Sequence, residues 1–161
     1  MKIIIVKCLV DNYAYIIFDE KTLIAAVVDP SEANPIINEI EKNNLNLKYI
    51  FNTHHHHDHI GGNLKLKKRY KCQIAAYGDD RDRIAQIDIE LKNNQKLKND
   101  LFDCEIIHVP GHTSGHISIY IEEINAVFTG DTLFSLGCGR VFEGTHKQMF
   151  NSLKKIKNLP K

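Results

Sequence analysis

The run Thr53-His54-His55-His56-His57-Asp58-His59-Ile60-Gly61-Gly62 constrains this chain more than any other stretch. It follows residues 47–51, an apolar run of the kind that forms a buried strand, and it precedes a lysine-rich helical stretch ending near Arg69. The double glycine permits a sharp turn between the two. The histidines therefore occupy a strand-to-helix loop, and loops held by a rigid scaffold are where function concentrates.

Spacing within the run points to a metal. An extended backbone after the strand sends residues 54, 56 and 58 to one side, so His54, His56 and Asp58 converge without help from elsewhere. His59, next in the chain, is placed to reach a second ion beside the first. Imidazole and carboxylate are ligands that zinc, iron and manganese accept, and a catalytic ion keeps one position open to water. The plain alternative is a purification tag or a solvated polar loop, but tags sit at termini and this run is internal.

The rest of the chain reads as one α/β domain. Its 161 residues are enough for one core, and 43% hydrophobic against 25% charged residues with a net charge of +1 is a soluble globular profile. That charge offers nothing to nucleic acid, and no stretch approaches the roughly 20 apolar residues of a membrane helix. Cys8, Cys72, Cys104 and Cys138 lie far apart, which suggests neither a zinc ribbon nor a disulfide framework and places the chain in a reducing cytoplasm. Residues 3–8, 13–18 and 23–28 predict an antiparallel meander. Asp29-Pro30-Ser31 offers an N-cap for a helix carrying Ile36, Ile37 and Ile40 and ending at Asn43-Asn44. Residues 79–100 read as a surface loop with one short strand, and residues 102–109, 116–121 and 126–129 as further strands. Thr145 and Gln148 predict a capping box for a last helix with Met149, Leu153 and Ile156 on one face. Strands in runs with helices at intervals predict two packed sheets flanked by helices, with function at one sheet edge.

A resemblance sharpens this. Thr-His-x-His-x-Asp-His at residues 53–59 is similar to the signature of the metallo-β-lactamase superfamily, whose members fold as an αββα sandwich holding one or two metal ions at the sheet edge. Pro110-Gly111-His112-Thr113-Ser114-Gly115-His116 and Phe128-Thr129-Gly130-Asp131-Thr132 follow in the order that the superfamily pattern requires. The resemblance implies that His112 joins His54 and His56 around one ion, that Asp58 and His59 serve a second, that Asp131 bridges both, and that His116 supports them. His55, His57, His108 and His146 match no ligand position and are expected to be solvated.

Residues 131–145, Asp-Thr-Leu-Phe-Ser-Leu-Gly-Cys-Gly-Arg-Val-Phe-Glu-Gly-Thr, resemble the corresponding stretch of the glyoxalase II (hydroxyacylglutathione hydrolase) family, and Leu9-Val10-Asp11-Asn12-Tyr13 resembles that family's opening loop. The resemblance implies a zinc-dependent thioesterase that hydrolyses S-lactoylglutathione to glutathione and D-lactate, the final step of methylglyoxal detoxification. Two zinc ions are expected, with Asp58 and Asp131 as catalytic residues, and with Arg140 and Phe142 contacting glutathione. A guanidinium suits a substrate carboxylate through paired hydrogen bonds.

The same resemblance implies two further things. The family carries another histidine ligand, followed by a helical glutathione-binding domain, beyond the point that Lys161 reaches, so the expected sandwich lacks its C-terminal part and the second ion lacks one protein ligand. A non-catalytic metal-binding fragment, or half of a split enzyme completed by a C-terminal polypeptide, is therefore the alternative. A mononuclear iron sulfur dioxygenase using His54, His112 and Asp131 is the rival within the superfamily.

Overall fold

The computed structural model describes residues 1–160. The chain opens as the expected meander, with β1 (Lys2–Cys8), β2 (Asn12–Phe18) and β3 (Ile24–Val28) paired antiparallel in chain order. The sheet then continues in parallel through β4 (Asn46–Phe51), β5 (Gln73–Tyr77) and β6 (Ile89–Leu91). Parallel neighbours need crossovers, and α1 (Ala33–Lys42) supplies the first, while the short turn α2 (His57–Ile60) and α3 (Asn63–Tyr70) supply the second. The second sheet is antiparallel throughout, in the order β10-β9-β8-β7, from β7 (Lys96–Lys98), β8 (Asp103–His108), β9 (Ile117–Ile121) and β10 (Ala126–Phe128). Helix α4 (His146–Lys157) covers its outer face.

The layers stack as helix, sheet, sheet, helix. Along β2 and β3 successive residues alternate between two cores. Ala14, Ile16, Ala25 and Val27 pack under Ile36, Ile40 and Leu66 of the covering helices, whereas Ile17, Ala26 and Val28 face the other sheet. Both faces are thus buried, which is why these strands read as unbroken apolar runs rather than alternating ones. Between the sheets Phe51 meets Phe102 at 5.6 Å and Tyr15 meets Phe128 edge-on at 5.4 Å. Met149 and Ile156 of α4 are buried, and the predicted capping box between Thr145 and Gln148 is formed.

Four expectations are corrected. Helix α1 is preceded by Glu32 at its N-cap, without a side-chain cap bond, because Asp29 is committed to the histidine loop. Residues 79–100 hold two short strands, β6 and β7, and β5 forms where no strand is predicted. Gly61 and Gly62 lie in right-handed helical conformation, so no special turn is made there; a Cβ on Gly62 would stand 2.6 Å from the Pro30 carbonyl, and close approach is what requires glycine. Two histidines expected in solvent are not: His108 stacks on Tyr77 at 4.7 Å, and His55 is largely covered, with its Nδ1 buried.

Among the described residues the cysteines are all free thiols, with Cys8, Cys72 and Cys104 buried and Cys138 exposed, and no helix is long and apolar enough to cross a membrane.

Candidate metal centre

Three connections meet at one end of the two sheets: the segment from β4 into α2, the loop after β8, and the turn at Gly130–Thr132 after β10. They bring together the six side chains that the motifs single out.

His54, His56 and His112 form a first group. His54 Nε2 lies 3.0 Å from His56 Nδ1, which lies 2.9 Å from His112 Nε2. Hydrogen bonds on the far sides of the rings set their tautomers. The Thr53 hydroxyl donates to Asp29 Oδ2 at 2.6 Å and so accepts from His54 Nδ1–H at 3.1 Å, and His112 Nδ1–H donates to the Arg140 carbonyl at 2.7 Å. Both Nε2 atoms are left with lone pairs turned into the site. Burial, followed by the neighbouring imidazoles, pushes the pKa of His54 well down and that of His56 down, which favours the neutral form that a metal needs.

Asp58 and His59 form a second group. The expected extended backbone is broken here, since Asp58 sits in the first turn of α2; it reaches the site from a helical turn, with its Oδ2 3.7 Å from His59 Nε2. His59 Nδ1–H donates to Asp29 Oδ2 at 2.9 Å, so Nε2 faces inward, buried and without a well-formed hydrogen bond. Asp131 spans the groups, with Oδ1 3.2 Å from His59 Nε2 and Oδ2 3.3 Å from His112 Nε2.

His56 Nδ1 faces the lone pairs of both His54 Nε2 and His112 Nε2 at about 3 Å, so a proton on it can satisfy only one of the two, and this donor set is one that zinc accepts. Electrostatics agree on the second side. Burial opposes charge on His59, but Asp29 and Asp131 outweigh it and raise its pKa to about 10, and a field that holds a proton so firmly also attracts a metal cation. The residues present therefore fit metal ions.

Asp29 and Asn12 contribute without being named by their own sequence neighbourhoods, whereas His116 is expected as a supporting residue. Asp29 reads locally as a helix cap, yet its carboxylate binds the Thr53 N–H at 2.8 Å, the Thr53 hydroxyl and His59. With those bonds made, it orients ligands rather than acting as one. Asn12 Nδ2 donates to Asp58 Oδ2 at 2.9 Å and to the Asp58 carbonyl at 3.2 Å; the only sign of it in the sequence is the opening-loop resemblance. His116 is fully buried, stacks on His54 at 4.7 Å, and accepts the Asp131 N–H at 3.1 Å through Nε2. Burial, then His112, lowers its pKa to about 3, which suits a neutral acceptor.

Arg140 and Phe142 border the first group. The ring of Phe142, 62% exposed, stands 5.3 Å from His112 and 5.8 Å from His56, while the Arg140 side chain is exposed and the residue reaches His112 through its carbonyl. On the other side a cleft of about 810 Å³ opens beside Asp58, His59 and Asp131, with Ile5, Tyr13 and Phe134 on its walls.

Residues 9–88 and 98–161 match the Metallo-beta-lactamase superfamily. The hydroxyacylglutathione hydrolase of Pelagibacter ubique (strain HTCC1062) is 54% identical over 160 residues, covering 99% of this chain and 67% of its own length. That of Methylococcus capsulatus is 41% identical over 160 residues, covering 99% of this chain and 62% of its own length. The chain thus spans about two thirds of these relatives. In three dimensions the BLEG-1 B3 metallo-beta-lactamase superposes with a TM-score of 0.91 at 24% identity, covering 99% of this chain and 87% of its own.

Proposed function

Because the chain belongs to the metallo-beta-lactamase superfamily, we propose that it is a zinc-dependent thioesterase of the glyoxalase II type, acting on 2-hydroxyacyl thioesters of glutathione. The observation that carries this reading is the position of Asp131, whose two carboxylate oxygens face nitrogens of two different histidine groups at 3.3 Å and 3.2 Å. A carboxylate so placed is suited to hold two ions side by side.

In this reading His54, His56 and His112 would hold one ion and Asp58 and His59 another, with Asp131 placed to serve either group. Zinc bound there would supply a Lewis acid for the thioester carbonyl and bring the pKa of a bound water toward neutrality. The remaining work falls to the chain. Asp58, half exposed and steadied by Asn12, orients the attacking water and accepts its proton. Arg140 pairs with a glutathione carboxylate, and the exposed face of Phe142 takes apolar surface of the thiol carrier. The departing thiolate, with an ordinary pKa near 8.5, leaves without needing a general acid. Support comes from the 54% identity to a protein that bears the hydroxyacylglutathione hydrolase name.

The test is hydrolysis of S-D-lactoylglutathione by the purified chain with zinc, followed at the thioester absorbance, alongside Asp58→Ala. Turnover lost in the variant supports the reading. A zinc-loaded, folded chain without turnover overturns it and leaves a metal-binding role.

A further inference from the structure

His55 is flanked in sequence by two candidate ligands yet turns away from them. Its Nδ1 is buried without a hydrogen bond and lies 3.7 Å from Oδ2 of Asp80, a carboxylate oxygen equally buried and equally unpartnered. Its Nε2 lies 3.5 Å from Glu143 Oε1. Arg83 closes the circle from the opposite side, donating to the other Asp80 oxygen and, through Nη1, to both Glu143 oxygens at 2.8 and 2.9 Å. Ser114 adds its N–H and hydroxyl to Glu143 Oε2 at 2.7 and 2.8 Å.

The members come from four different segments. His55 belongs to the first histidine loop, Ser114 to the loop of His112, Asp80 and Arg83 to the turn after β5, and Glu143 to the loop that carries Arg140 and Phe142. Asp80 is fully buried, and Gly115 leaves the room for its carboxylate, since a Cβ there would collide with Oδ1. A buried carboxylate is retained only where charge partners compensate it.

We propose that Asp80, Arg83, His55 and Glu143 form a clamp that bolts the Arg140–Phe142 loop onto the two histidine loops, and so act as positioning residues for the thiol-carrier half of the substrate. The substrate part of this inference rests on the function proposed above; the clamp itself does not. Glu143 is a side-chain attachment point of a loop whose backbone is also held to the site by the His112 Nδ1–H on the Arg140 carbonyl at 2.7 Å, the Phe142 N–H on the His112 carbonyl at 3.2 Å and the Gly144 N–H on the Gly111 carbonyl at 3.1 Å.

The clamp is tested by amide hydrogen exchange in Arg83→Met and in Glu143→Gln, the second keeping an acceptor for Ser114 while losing the charge. The amides of Phe142 and Gly144 exchange about tenfold or more faster in each folded variant, whereas those of α1 keep the parent rate. Unchanged exchange at both amides in either folded variant overturns the proposal. Kinetics then separate positioning from general structure: KM for S-D-lactoylglutathione rises about tenfold with kcat within about threefold and zinc content unchanged, and Arg83→Lys restores part of the loss. A fall in kcat and zinc content at constant KM assigns the ring to metal binding and overturns the substrate part. A parent chain without turnover rejects the function proposed above and leaves the exchange result to decide the clamp.

Discussion

His112 donates its Nδ1–H to the backbone carbonyl of Arg140 at 2.7 Å, so the residue proposed to bind substrate also sets the tautomer of a proposed metal ligand. The contact uses main chain rather than guanidinium, which separates the two roles of position 140. It also joins the loop after β10 to the metal centre.

Arg140→Ala keeps the carbonyl and is expected to leave zinc affinity unchanged while raising KM about tenfold or more, the loss of a paired charge-assisted contact. Gly139→Ala acts the other way. A Cβ on Gly139 would collide with the Asp131 carbonyl and stand 2.9 Å from His112 Nδ1, so the Arg140 carbonyl must move. Zinc affinity then falls about 10- to 100-fold, the range for a lost ligand-orienting partner. Competition with a chromogenic chelator reads both variants, and equal zinc affinities would falsify the division of roles.

Asp29→Asn tests the same logic on the second group. Asp29 orients His59 directly and His54 through Thr53. An amide cannot accept from both the Thr53 hydroxyl and His59 while serving the Thr53 N–H, so one ligand is released from its tautomer. The second equivalent of zinc is expected to bind about 10- to 100-fold more weakly, with a smaller change in the first. Calorimetric titration resolves the two; a change confined to the first equivalent rejects the assignment of His59 to the second ion.

How much of this could be read in the sequence followed from the range of each interaction. β1 to β4 were legible as short apolar-rich runs, nearly unbroken in β2 and β3 because both faces of those strands are buried. β5 was not: its Gln73-Ile74-Ala75-Ala76-Tyr77 carries two alanines, and it becomes a strand because β4 and β6 pair with it on either side. The cluster of residues 54–59 was legible for being local, although the backbone placing Asp58 is a helical turn rather than the extended chain that spacing suggested. Bringing His112 and Asp131 to it required the family pattern, since nothing in their own neighbourhoods names a partner. Asp29 misled because Asp-Pro-Ser matches a cap locally, whereas its actual partners Thr53 and His59 lie 24 and 30 residues away. Asp80 and Arg83 sat in a polar stretch that looked featureless for the same reason: their partners His55, Ser114 and Glu143 are distant in the chain.

A pH effect independent of the metal centre is expected at Asp88. Its Oδ2 accepts from the Ile74 N–H at 2.7 Å and from Lys67 at 2.6 Å, pinning the start of β6 to β5 and α3. Partial burial raises its pKa, but Lys67 and the Ile74 N–H outweigh that and hold it below 3.8. A carboxyl depressed in the fold contributes stability that is present above its unfolded value, about 3.9, and is lost as pH falls through the lower folded value. Asp88→Asn is therefore expected to cost about 1 kcal/mol at pH 7 and less at about pH 3, below the unfolded value. Urea midpoints at the two pH values decide it, and an equal cost at both rejects the ion pair as its source.

Chelation should remove the stabilisation that a bound ion gives the site. His54 Nε2, His56 Nδ1 and His112 Nε2 converge there, with His56 Nδ1 about 3 Å from each of the other two. Binding to the folded state alone stabilises it by RT ln(1 + [L]/Kd), about 2.7 kcal/mol at a hundredfold excess over Kd. A chelator such as EDTA is thus expected to lower Tm by about 5–11 °C for a chain of this size, and added zinc to restore it in a concentration-dependent way. His112→Ala removes one of the three converging nitrogens, so its Tm should respond far less to zinc than that of the parent. Scanning calorimetry of both proteins across a zinc series makes the comparison. An identical zinc response in parent and variant would place the ion elsewhere than among these three histidines.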